Sequence, residues 1–86
     1  MSAQQQFNRE VIMDITTAKV ELLRKRHIGK MIRLDSGEYR ISGLDRRVYD
    51  HTKLDVYLER LDSKGRVESR TWTVLTVPAF YAAIVR

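Results

Sequence analysis

The chain has no cysteine, one proline, one tryptophan and four glycines among its 86 residues. Without cysteine there can be no disulfide, zinc–thiolate centre or thiol nucleophile, which is compatible with a cytoplasmic setting. No apolar run approaches the roughly 20 residues needed to span a bilayer. The best candidate, "PAFYAAIV", is far too short, so no membrane partner is expected. The opening "MSAQQQFNRE" lacks the basic start and apolar core of a signal peptide. Repeats, low-complexity blocks and Pro/Gly/Ser linkers are also missing, so residues 1–86 read as a single domain. Glycine-rich phosphate loops, dinucleotide fingerprints, His-Glu-x-x-His and paired-carboxylate motifs are absent as well. No enzyme, cofactor or metal is therefore expected.

What the chain does have is positive charge, formally +5, with a sequence pI near 9.9. That balance favours anionic partners, either nucleic acid or an acidic protein surface.

The texture changes at Gly29. Before it, Val11, Ile15, Ala18 and Leu22 recur at helical spacing, widened by Phe7, Ile12 and Leu23. Ser2 with Gln5 has the form of a capping box, and Asn8 is a second N-cap candidate. These predict a helix over about 8–28. The adjacent β-branched Thr16 and Thr17 mark its weak point, where it could break into a pair.

From about residue 30 to 86 the period is two, which predicts β-hairpins. "KMIRL" and "EYRIS" flank "DSG", and setting Leu34 opposite Tyr39 puts Ile32 opposite Ile41 on one face. Arg33 then opposes Arg40 on the other, an unfavourable contact that invites an acid or a bound anion. In the second hairpin, "SKG" with a left-handed Gly65 pairs Asp62 with Arg66. Continued without interruption, that register sets Arg60 against Glu68, Val56 against Trp72 and Leu54 against Val74. It makes Trp72 a core residue and leaves one mismatch, Leu58 against Arg70. Tyr57, Thr71 and Thr73 point the other way.

The ending "TVPAFYAAIVR" has two readings: a helix opened by Pro78, or one helical turn followed by a short strand "AIVR". In the second form it resembles the close of SH3-type barrels, and the resemblance implies a fold rather than a function. The expected architecture is α+β: an N-terminal helix packed on a strongly bent four- to five-stranded antiparallel sheet or SH3-like small barrel.

Candidate binding residues come from three stretches. "ELLRKRHIGK" carries Arg24, Lys25, Arg26 and Lys30. Cations in a last helical turn interact favourably with the helix dipole, but this many exceed what capping requires. Arg33 and Arg40 form the opposed pair of the first hairpin. "LDRRVYD" offers Arg46 and Arg47 beside Tyr49, suited to phosphate neutralisation and base stacking or to local pairing with Asp45 and Asp50. His27, among cations, reads as a polar last-turn residue. His51 beside Asp50 and Asp55 supplies the one thin case for acid–base chemistry. Together these predict a small basic non-catalytic module contacting nucleic acid phosphates. The alternative is an inhibitor or assembly adaptor docking on an acidic protein, of a kind that fits small phage or plasmid accessory proteins. A homodimer would be one way to cover excess apolar surface.

Overall fold

Thr16 sets the start of the first helix. Its backbone is extended (φ −79°, ψ 159°) and its side-chain oxygen accepts the Lys19 amide at 3.1 Å, a conventional N-cap. The structure, a computed structural model, describes residues 14–85. Within that range the elements are α1 (Thr17–His27), β1 (Met31–Leu34), β2 (Gly37–Arg46), β3 (Lys53–Leu61), β4 (Val67–Thr76) and α2 (Val77–Ala83). The expected caps at Ser2 and Asn8 and the first part of the predicted helix lie outside the described residues.

Because α1 begins at Thr17, the buried Ile15 sits on non-helical backbone and is out of phase with the helix. Val20 and Leu23, rather than Ala18 and Leu22, form the helix's buried face. At the other end Gly29 is left-handed as expected (φ +93°) and donates to the Ile41 carbonyl at 2.8 Å.

The four strands form one antiparallel sheet in the order β1-β2-β3-β4. Alternation divides it into two faces. The inner face carries Ile32, Tyr39, Ile41, Leu44, Leu54, Val56 and Leu58, which join Val20 and Leu23 of α1 and Phe80 of α2 in the core. The outer face has no helix on it among the described residues.

This corrects the expected strongly bent sheet or SH3-like small barrel. The sheet is open, β1 and β4 lie at opposite edges, and no ladder joins them. Residues Val77–Ala83 are spent on a helix, with Pro78 in its first turn and Thr76 as cap, so no fifth strand among the described residues carries closure. Of the strand "AIVR" only a trace remains: an isolated bridge between Ile84 and Ile32, and a 3.0 Å hydrogen bond from the Val85 amide to the Met31 carbonyl. No helix among the described residues is long and apolar enough to cross a membrane.

The second hairpin keeps its expected turn, the first tightens from "DSG" to Asp35–Ser36 with Gly37 already in β2, and both depart in register. In the first, Leu34 pairs with Gly37, which moves every partner by two residues. An even shift preserves the faces, so Ile32, Leu34, Tyr39 and Ile41 still share one side. Arg33 now faces Glu38 and Arg40 faces Met31, so the predicted arginine–arginine opposition is absent. Gly37 has φ +134°, and a Cβ there would lie 2.7 Å from the Arg60 guanidinium. That guanidinium closes the turn by donating to the Ser36 carbonyl at 2.7 Å and lying over the Tyr39 ring.

In the second hairpin Gly65 is left-handed (φ +80°) and the Asp62 amide donates to the Arg66 carbonyl at 2.8 Å. Leu61 pairs with Val67, but Arg60 then pairs with Ser69. The bulge at Glu68 slips β4 by one residue and reverses its faces beyond that point. Leu58 meets Thr71 instead of Arg70, and Trp72 meets Tyr57 instead of Val56. Trp72 is therefore an outer-face residue, 54% exposed, and not part of the core.

Candidate nucleic-acid interface

The outer face is organised around the Tyr57–Trp72 pair, which sits directly opposite on β3 and β4. Both rings are substantially exposed. Tyr57 lies against Gly43 of β2, where a Cβ would come within 3.3 Å of its ring. A second register shift, between Ile41 and Gly43, brings that side-chain-free position opposite Tyr57. An aromatic strip thus runs across β4 and β3 toward bare backbone on β2.

Arginines frame the strip. Arg47, one residue beyond β2, reaches back over the sheet, pairs with Asp55 at 3.0 Å, and places its guanidinium 5.8 Å from the centre of the Trp72 ring. Glu59 accepts from Arg40 at 2.8 Å and lies 3.6 Å from Arg70. One carboxylate serving two guanidinium groups leaves a positive charge uncompensated beside the aromatics, and the Arg70 side chain is 73% exposed. Farther along, Arg33 donates to Glu38 at 2.9 Å. That exposed pair contributes about 0–1 kcal/mol, so a phosphate can exchange for the Glu38 carboxylate at little cost, whereas Glu59 and Asp55 are largely buried and hold Arg40 and Arg47 in place.

The candidates read from the sequence do not form one surface. Arg33, Arg40 and Arg47 share the outer face, and Tyr49 stands 98% exposed in the loop that Arg47 opens. Arg24 and Arg46 turn inward instead. Arg24 Nε donates to the Leu44 carbonyl at 2.7 Å and its terminal nitrogen pairs with Asp45 at 2.8 Å, tying α1 to β2. Arg46 donates to the Ile15 carbonyl at 2.9 Å. Lys25, Arg26 and Lys30 stay at the end of α1, in the layer on the other side of the sheet, and form no ion pair with a described residue.

Sequence reasoning missed Trp72 and Arg70. The signal that could have found them was the Leu58–Arg70 mismatch, which a one-residue bulge removes. The acid–base set around His51 is not assembled. Asp50 is committed to Thr52 and Lys53, whose hydrogen bonds and charge hold its carboxyl below the usual range, while Asp55 belongs to Arg47.

His27 stacks edge-on against Phe80, with ring centres 5.3 Å apart, and its buried Nδ1 has no hydrogen-bond partner among the described residues. Partial burial, then the charges of Lys30, Arg26 and Lys19, hold the imidazole below the usual histidine range. The folded state therefore prefers neutral His27. An unfolded chain takes up that proton below about pH 6.5, so stability falls as pH drops from there toward the lowered folded value. We expect His27→Leu to lose this dependence. Urea unfolding of the two proteins between neutral and mildly acidic pH should show the variant's advantage growing as pH falls. A constant difference would mean that His27 does not titrate with unfolding.

No protein-family model, curated protein or solved structure matches this chain.

Proposed function

We propose that the chain is a small non-catalytic module that binds single-stranded nucleic acid on the outer face of its sheet, in the cytoplasm. The observation that carries this reading is the exposed Tyr57–Trp72 pair set among Arg40, Arg47 and Arg70. Unpaired bases offer π-faces to exposed aromatics, and arginines beside them neutralise the backbone. Duplex bases are already stacked and cannot use such a strip, so single strands are the preferred form.

A second reading rests on the other layer. Lys25, Arg26 and Lys30 stand near the exposed apolar residues Leu22 and Ile28, a mixed basic and apolar patch that suits an acidic protein surface.

Salt titration of binding to matched single- and double-stranded oligonucleotides and to an acidic polypeptide separates the two. The nucleic-acid reading expects single strands to bind more tightly than duplex near physiological salt. It also expects a residual affinity at high salt, because stacking survives when counterion release is suppressed. Equal binding of all three ligands that vanishes near 150 mM salt would leave only nonspecific charge.

A further inference from the structure

We propose that two copies of this chain associate through the exposed edge of β4, by antiparallel pairing of Arg70–Thr76 about a twofold axis at Thr73. The inference rests on the sheet edge alone and not on the nucleic-acid reading.

The two edges of the sheet are treated differently. The β1 edge receives Ile84 and Val85. The β4 edge, on a strand of ten residues, takes no backbone hydrogen bond from any described residue outside the sheet. An open edge of that length is a template for another strand, and folded proteins usually blunt it with charge, proline or a bulge. Here those devices cover only the first half: the bulge at Glu68, with Glu68 and Arg70. The second half reads "TWTVLT", with no charge, proline or glycine, and it presents an exposed Trp72.

The occupant follows from complementarity. About a twofold at Thr73, Trp72 lies opposite Val74 of the second copy on the outer face, and Thr71 opposite its Leu75 on the inner face. Arg70 meets Thr76 of the second copy, so no like charges oppose each other, and apolar and β-branched neighbours meet as stable cross-strand pairs do. An isologous contact closes on itself and ends at two copies. It would join two four-stranded sheets edge to edge and make one continuous outer face with two aromatic strips.

Sedimentation of the full 86-residue chain without nucleic acid, from about 1 µM to about 1 mM, is expected to show the mass rising from 10.1 kDa toward twice that value. Thr71→Lys, at an exposed position outside the aromatic strip, is expected to weaken the dimer at least about tenfold with the circular-dichroism spectrum unchanged. Amide exchange should slow across Arg70–Thr76 as concentration rises. A mass of 10.1 kDa throughout would overturn the proposal, including the case in which the chain's own residues 1–13 cover the edge and protect those amides at every concentration. A dimer indifferent to Thr71→Lys would overturn it too. Oligonucleotide binding enters none of these readouts, so this inference and the nucleic-acid reading can fail separately.

Discussion

Phe80→Ala is expected to cost about 3–5 kcal/mol and to lower the melting temperature by at least about 12 °C. Phe80 is fully buried and is the largest fully buried side chain among the described residues. It anchors α2, a helix of only seven residues, which has almost no stability of its own at that length. That helix follows β4 and touches β1, so the ring fills the inner face at the place where the two sheet edges come nearest to a common contact. A domain of this size has about 4–13 kcal/mol of total stability, and the truncation removes a large part of it. Phe80→Leu should cost less than Phe80→Ala, because it keeps four of the seven side-chain carbons and leaves a smaller cavity. Thermal and urea unfolding of the three proteins provide the check. An unchanged melting temperature for Phe80→Ala would mean that α2 does not pack as described.

Trp72→Ala is expected to weaken single-strand binding roughly five- to 150-fold, the range corresponding to one base stacked on an aromatic side chain. Its effect on stability should be small by comparison with a core truncation, because the ring is 54% exposed and lies outside the buried core cluster. Trp72→Phe should retain most of the affinity. Neutralising Lys25, Arg26 and Lys30 together, in the layer behind the sheet, should leave both the salt slope and the preference for single strands nearly unchanged. If Trp72→Ala binds as tightly as the parent chain while the lysine–arginine variant does not, the basic end of α1 is the binding surface. The second reading then gains.

Much of the fold was legible in the sequence where local chemistry decides it. Gly65 and Asp62 determined the second turn, and the alternation of Leu54, Val56 and Leu58 marked the core face of β3. The four basic or titratable residues ending α1 were recognisable as a last helical turn. Legibility failed where a single residue changes phase. The bulge at Glu68 has no local signature, yet it moves Trp72 from core to surface and with it the centre of the candidate site. Similarly, the two-residue shift in the first hairpin gave Arg33 and Arg40 separate acidic partners and dissolved the expected anion grip between them. Closure of the sheet depended on whether the helix opened by Pro78 ran on or gave way after one turn to a strand "AIVR". Pro78 at the first turn and the Thr76 cap decided for helix. Which cations remain available is a tertiary property: Arg24 and Arg46 look like any other basic residue until Leu44, Asp45 and Ile15 are placed beside them.

The most direct test of the outer face as the binding site uses the chain's single tryptophan. Trp72 fluorescence should be followed while a short single-stranded oligonucleotide is titrated at near-physiological salt, with binding measured in parallel by anisotropy of a labelled strand. Base stacking on Trp72 predicts saturable quenching whose midpoint coincides with the anisotropy midpoint. Tight binding by anisotropy with Trp72 emission unchanged would contradict the account and move the interface away from the Tyr57–Trp72 face.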